Sequence, residues 1–90
     1  MAPRFKIQFG WIDKDTLGIA DYDKKLIVIN WEIMVVSTWL HEDAHRRHPN
    51  WNEKRTLAFD KKALQRMTVK EIRAKARQLL RTAKWEDYEV

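Results

Sequence analysis

The spacing of the hydrophobic residues changes near Asn30, and this change divides the chain into two parts. From residue 5 to residue 11 every second side chain is aromatic or aliphatic, which is the period of a strand with one buried face. From Glu32 to Arg47 the chain contains neither Gly nor Pro, which favours a helix. Strands that come first and helices that follow predict the α+β class.

Three strands are expected in residues 1–30. The first covers residues 4–12, and two more cover residues 17–22 and 25–29. The second and third are joined by the short turn Tyr22-Asp23-Lys24, which predicts a hairpin. Because consecutive strands usually lie next to each other in a sheet, we predict a small three-stranded antiparallel sheet.

Three helices are expected after the sheet, and the sheet should pack against them. Asn30 is a suitable N-cap for the first helix, and Pro49 ends it. The second helix should begin near Asn50 or Asn52 and run to about Met67. Its inward-facing side chains are expected to be Leu57, Ala58 and Leu64.

The third helix has the clearest start, because Thr68-Val69-Lys70-Glu71 has the spacing of a capping box. One face of it is apolar and the other is basic, since residues 61–90 hold nine basic and four acidic side chains. This excess accounts for the formal net charge of +5 of the whole chain. The basic face predicts a nucleic acid or another acidic partner, or simply a solvated surface. Trp85 and Tyr88 follow the helix and could stack on bases or pack on the core.

The length of 90 residues predicts a single domain over 1–90. Within it, residues 1–30 form the sheet, residues 31–66 the metal-site helices and residues 68–85 the basic amphipathic helix. The absence of cysteine excludes disulfides, zinc ribbons, iron–sulfur clusters and thiol nucleophiles. Neither a membrane span nor a signal peptide is apparent, so we expect a cytoplasmic protein without a membrane partner.

The segment His41-Glu42-Asp43-Ala44-His45 contains the pattern H-E-x-x-H on the predicted first helix. Two histidines four residues apart lie on one face of a helix, so both imidazoles can bind one Zn²⁺. Glu42 lies beside them, where it can accept the proton of a zinc-bound water. The alternatives are a solvated surface helix without metal, and a structural zinc site without catalysis.

A catalytic zinc ion needs a third protein ligand, and two residues are close enough in sequence. His48 continues the same helix face, but it lies about 10 Å along a straight helix from His41. Glu53 follows Pro49 at the start of the next helix, from which a turn could bring it over the metal. Glu53 could instead close a capping box with Asn50. The spacing favours Glu53 as the third ligand. It leaves open that His48 is the ligand or that Glu53 is only a helix cap.

The segment from His41 to Glu53, HEDAHRRHPNWNE, resembles small, often phage-encoded zinc metallopeptidases of the gluzincin type. These proteins are related in layout to minigluzincins and SprT-like domains. The resemblance covers about residues 16–65 and includes the predicted hairpin before the motif. It implies a zincin-like fold with His41, His45 and Glu53 as zinc ligands and Glu42 as general base.

The expected function is therefore hydrolysis of peptide bonds in a peptide or protein substrate, by a zinc-bound water with Glu42 as general base. The alternative is a module without catalytic activity that binds nucleic acid or protein through the basic helix 68–85 on a zincin-like scaffold.

Overall fold

Three strands precede three helices in the structure, a computed structural model that describes residues 4–89. The elements in chain order are β1 (Lys6–Phe9), β2 (Gly18–Asp21), β3 (Leu26–Ile29), α1 (Trp31–Arg47), α2 (Glu53–Arg66) and α3 (Val69–Thr82). This order confirms the α+β class. Residues 1–3 and 90, which belong to the predicted domain 1–90, lie outside the described residues.

The sheet is mixed, so the prediction of an antiparallel sheet is wrong. Its strand order is β1-β3-β2, with β2 antiparallel to β3 and β1 parallel to β3. The hairpin of β2 and β3 is confirmed. The error concerns β1, which crosses to the far edge of β3 instead of pairing with its neighbour in sequence.

The composition of the strands explains this order. Every residue of β3 is aliphatic and half-buried, whereas β1 and β2 contain polar or small residues and are mostly exposed. A strand with apolar side chains on both faces suits the central position. The eight residues between β1 and β2 are long enough to span the width of β3.

The helices supply most of the core, and the sheet is only lightly covered. Ile7 and Phe9 in β1 are 56% and 66% exposed, so the buried face predicted for residues 4–12 is wrong for these two. Trp11, in the loop after β1, does pack against the helical core. The buried cluster consists of Ile33, Val36, Leu40, Ile72 and Ala76. The core therefore lies between α1 and α3.

Asn30 connects the sheet to α1. It occupies the predicted N-cap position, and its carbonyl accepts from the backbone N–H of Met34 at 3.2 Å. Its side chain makes no capping hydrogen bond, and its Nδ2 instead donates to the carbonyls of Asp13 and Thr16. The backbone N–H of Asn30 donates to the carbonyl of Leu17 at 2.8 Å. Asn30 is fully buried, so its amide group fixes the loop after β1 against the start of α1.

A buried ion pair joins α1 to α3. The carboxylate of Glu32 is 1% exposed, and both of its oxygens accept from Nε of Arg73 at 3.1–3.2 Å. The Arg73 guanidinium also lies 5.6 Å from the ring centroid of Trp11. Because a buried carboxylate is costly without a partner, this contact helps to fix how α3 lies on α1.

The inward face of α2 differs from the predicted one. Leu57 is 52% exposed, whereas Thr56 is fully buried. Ala63, Leu64 and Met67 pack against the core. The predictions for Leu57 and Ala58, both exposed, are therefore wrong, and that for Leu64 is confirmed. The helix is rotated so that Thr56 and the positions one and two turns later face α1.

The capping box that opens α3 is confirmed. The Thr68 hydroxyl accepts from the backbone N–H of Glu71 at 3.1 Å, and the Glu71 carboxylate accepts from the N–H of Thr68 at 3.0 Å. The preceding turn is fixed by Lys14, whose Nζ donates to the carbonyls of Gln65 and Met67 at the end of α2.

Within residues 4–89, no helix combines the length and hydropathy needed to cross a bilayer.

Replacing Glu32 and replacing Arg73 should lower the free energy of unfolding by different amounts. Arg73→Ala leaves the buried carboxylate unpaired and should lower the free energy of unfolding by about 3 kcal/mol or more. Glu32→Gln leaves a guanidinium that is 42% exposed and stays hydrated, so about 1–2 kcal/mol is expected. Urea denaturation of both variants measures the difference. A larger loss in Glu32→Gln would contradict this description of the pair.

Candidate metal centre

The two motif histidines lie one turn apart on α1. Leu40 and Ala44 are buried against the other helices, and His41 and His45 directly follow them in sequence. Because each histidine is one residue after a buried position, both imidazoles lie at the edge of the buried face of α1. Their side chains are 18% and 33% exposed. Their Nε2 atoms are 3.1 Å apart. The sequence prediction that both rings face one point is confirmed by this distance.

Glu53, the first residue of α2, contacts both imidazoles. Its Oε1 lies 2.6 Å from Nε2 of His41, and its Oε2 lies 3.1 Å from Nε2 of His45. The N-cap of α2 is Asn52, whose side chain accepts from the N–H of Arg55. The capping box considered for Asn50 and Glu53 is therefore wrong. The Glu53 carboxylate is thus available to the histidines.

Asp60 is the residue of this site that the sequence prediction did not include. Its Oδ2 lies 2.6 Å from Nδ1 of His41, and its side chain is 14% exposed. Asp60 follows Glu53 by seven residues, or two helical turns, so both lie on the face of α2 that meets α1. That spacing is the signal that could have identified it.

Both ring nitrogens of His41 lie within hydrogen-bonding distance of a carboxylate oxygen. If Nδ1 donates its proton to Asp60, a neutral ring has only a lone pair at Nε2. That lone pair would face the Glu53 carboxylate at 2.6 Å, and two acceptors at this distance repel each other. Either a proton on Nε2 or a metal ion between the groups removes the conflict.

The pKa of His41 reflects the same arrangement. The hydrogen bond to Asp60 raises the pKa of His41 above its usual value of 6.5, burial opposes the rise, and the charges of Glu53, Asp60 and Glu42 add to it. In the absence of metal, the imidazolium form, which can donate from both ring nitrogens, therefore persists to higher pH than in a free histidine. A metal ion would displace the proton on Nε2.

Glu42 lies beside the imidazoles and is not held by them. One of its carboxylate oxygens is 3.9 Å from Nε2 of His41, and the side chain is 69% exposed. His41, Glu42 and His45 together form a group that could hold a metal ion. Glu53 makes shorter contacts with the rings than Glu42 makes with His41, so Glu42 is the less tightly held of the two carboxylates.

His48, the other candidate for the third ligand, points to an aromatic cluster. Its ring stacks on Trp51 with centroids 3.7 Å apart and planes at 6°. The edge of Phe59 packs against both rings. Among the contacts of the described residues, His41 and His45 are bridged by Glu53 and not by His48.

The donor set suits a small divalent cation that accepts nitrogen and oxygen ligands. Two imidazole nitrogens and one carboxylate are a ligand set typical of catalytic zinc. Ligand atoms bound tetrahedrally to one zinc ion lie roughly 3.3 Å apart, given bonds of about 2.0–2.1 Å. The three groups are separated by 2.6–3.1 Å, so they need to spread by roughly 0.2–0.7 Å to reach that spacing.

Two open clefts flank the motif. A cleft of about 370 Å³ between α1 and α2 is lined in part by His41, Leu57 and Asp60. A more apolar cleft of about 490 Å³ between α1 and α3 is lined in part by Trp39 and Glu42. The candidate metal centre is therefore accessible from the surface.

Comparison with known proteins does not assign the chain to a family. No protein-family model matches it, and no curated protein or solved structure matches it either.

The raised pKa of His41 predicts how the stability of the metal-free protein depends on pH. A raised pKa in the folded state contributes stability that is fully present below the unfolded value and is lost as pH rises through the folded value. We therefore expect a contribution from His41 at pH 5.5 that is smaller at pH 9. Urea denaturation with a chelator, at both pH values, measures it.

Asp60→Asn should reduce this pH-dependent contribution, because it removes the principal cause of the raised pKa. Asp43→Asn is the matched control, since the Asp43 carboxylate pairs with Arg46 and Arg47 instead of an imidazole. An NMR titration of His41 should show a lower pKa in Asp60→Asn only. Equal shifts in the two variants would contradict the assignment.

Proposed function

We propose that this protein is a minimal zinc metallopeptidase with a zincin-like layout. The observation that carries the proposal is the convergence of His41, His45 and Glu53 from two helices, with Glu42 accessible at the same place. The resemblance of residues 41–53 to gluzincin-type peptidases supports the same reaction. The proposed substrate is a peptide or protein.

His41, His45 and Glu53 would hold the zinc ion. When bound, zinc lowers the pKa of a coordinated water toward about 7 and polarises a carbonyl group. Asp60 would keep the Nδ1 proton of His41 in place, so that Nε2 is free to act as a ligand. This role explains why a second carboxylate lies behind the first histidine.

Glu42 would serve as the general base. Its carboxylate is 69% exposed and only 3.9 Å from Nε2 of His41, so it can accept a proton from a water molecule near the imidazoles. Glu53 cannot take this role while it bridges the two rings. The two carboxylates thus have separate functions, one as ligand and one as base.

Replacing the base should separate metal binding from hydrolysis. Glu42→Gln keeps the size of the side chain but cannot accept a proton, so zinc content should be unchanged and cleavage should fall by about 100-fold or more. Zinc is measured by elemental analysis of protein purified without a His-tag, and cleavage with an unfolded protein as substrate. Glu53→Gln should instead reduce zinc affinity.

Glu86→Gln is the matched control, because Glu86 is similarly exposed and pairs with Lys84 in the tail. It should leave both zinc content and cleavage unchanged. Full activity in Glu42→Gln, or a wild-type protein that takes up no zinc on titration, would show that the proposed function is wrong.

A second candidate function rests on the solvent face of α3. Lys70, Arg73, Arg77 and Arg81 follow one another at intervals of three or four residues, which forms a basic stripe along the helix, and Lys84 lies two residues past its end. Within residues 4–89, Arg73 is the member of the stripe that contacts an acidic side chain, and Lys84 pairs with Glu86 in the tail. Trp85 and Tyr88 are 80% and 88% exposed, so they do not pack on the core. Such a surface could bind the phosphates of a nucleic acid.

Nucleic-acid binding should depend on salt and on the basic stripe. Three or four phosphate contacts predict a slope of about −2 to −3 for log K against log salt with a single strand. The double variant Arg77→Glu/Arg81→Glu should abolish binding of a fluorescent oligonucleotide in anisotropy measurements. Lys6→Glu/Lys24→Glu, an equal charge change in the sheet, is the control. Equal losses in the two double variants would exclude a specific role for α3.

A further inference from the structure

The connection between α1 and α2 holds a cluster of aromatic side chains that the proposed reaction does not use. His48 and Trp51 stack face to face, and Phe59 packs its edge on both rings. The guanidinium of Arg55 lies 4.3 Å from the ring centroid of Trp51. We call His48, Trp51, Arg55 and Phe59 the aromatic clamp. It joins the end of α1 to the first two turns of α2.

The clamp surrounds the chain segment that determines where Glu53 lies. The N–H of His48 donates to the carbonyl of Ala44 at 2.8 Å, and the N–H of Trp51 donates to the carbonyl of His48 at 3.0 Å. These bonds end α1 and turn the chain toward α2. Two residues after Trp51, Glu53 begins the helix.

The side chain of Glu53 has little packing of its own to hold it. It is 62% exposed, and a free carboxylate at a helix start has several accessible rotamers. Its 2.6 Å and 3.1 Å contacts with the imidazoles therefore depend on where the backbone of residue 53 is placed. The clamp packs the chain two residues before residue 53, and the buried Thr56 holds it three residues after.

We propose that the aromatic clamp positions Glu53, with Trp51 as its central positioning residue, and so sets the affinity of the site for zinc. This inference rests on the metal site of the proposed function. It also gives His48 a role in the site through packing and not as a ligand. Residues that orient metal ligands are commonly worth about 10- to 100-fold in metal affinity.

Zinc affinity of the Trp51 variants tests the proposal. Trp51→Ala should weaken zinc binding by about 10- to 100-fold, and Trp51→Phe should restore most of it because a ring can still stack on His48. Competition with a chelating dye measures the affinity. Trp85→Ala, which removes an indole that is 80% exposed in the tail, is the matched control and should bind zinc as the wild type does.

A double-mutant cycle with Glu53 distinguishes positioning from a general loss of structure. If Trp51 acts through Glu53, then Trp51→Ala should change zinc affinity by less than about 3-fold when Glu53 is already alanine. Unchanged affinity in Trp51→Ala, a full loss that persists in the Glu53→Ala background, or no recovery in Trp51→Phe would overturn the proposal.

Two further measurements keep the test decisive. If circular dichroism shows that Trp51→Ala does not fold, Arg55→Gln replaces it and should weaken zinc binding by about 2- to 5-fold. Wild-type affinity in Arg55→Gln would overturn the proposal.

If the wild type binds no zinc, the proposed function is wrong, and NMR contacts test separately whether the clamp positions Glu53. Contacts between Glu53 and the His45 ring should be present in the wild type and absent in Trp51→Ala. Their persistence would overturn the inference.

Discussion

The packing of α1 against both other helices is the constraint on which the rest of the structure depends. One stripe of α1, including Ile33, Val36 and Leu40, is buried with Ile72 and Ala76 of α3. Once this stripe is buried, the rotation of α1 about its axis is fixed, and His41 and His45 must face α2. The hydrophobic core and the candidate metal centre thus use two adjacent faces of α1. If the hydrophobic positions of α1 were shifted by one residue in sequence, the helix would rotate and both faces would change.

The candidate metal centre places two carboxylates against one imidazole, an arrangement that a positive charge on or beside the ring stabilises. Asp60 and Glu53 approach His41 from its two nitrogens at 2.6 Å each, and a proton on the ring satisfies both in the absence of metal. In the proposed function, a zinc ion would take the place of a proton at Nε2 and bind Glu53, while Asp60 would keep its contact with Nδ1. The fold therefore brings the ligands together before any metal arrives, which reduces the conformational cost of binding.

The sheet keeps several apolar side chains exposed because few residues cover it. β3 has aliphatic side chains on both faces, yet Ile7, Phe9 and Ile19 on the neighbouring strands are more than half exposed. Asn30 and Trp11 hold the sheet to the helices at one end. The proposed chemistry accordingly lies in the helical half, and the sheet fixes the loop that leads into α1.

The sequence by itself determined the class of fold, the three helices, the capping box at Thr68 and the H-E-x-x-H pair. Each depends on residues close in sequence, and helical spacing alone places His41 near His45. Tertiary structure decided the rest. β1 pairs with β3 because an all-aliphatic strand takes the centre, α2 turns Thr56 inward in place of Leu57, and that rotation brings Asp60 to His41. Such pairings depend on which faces of distant elements bury each other best, and no local pattern encodes that choice.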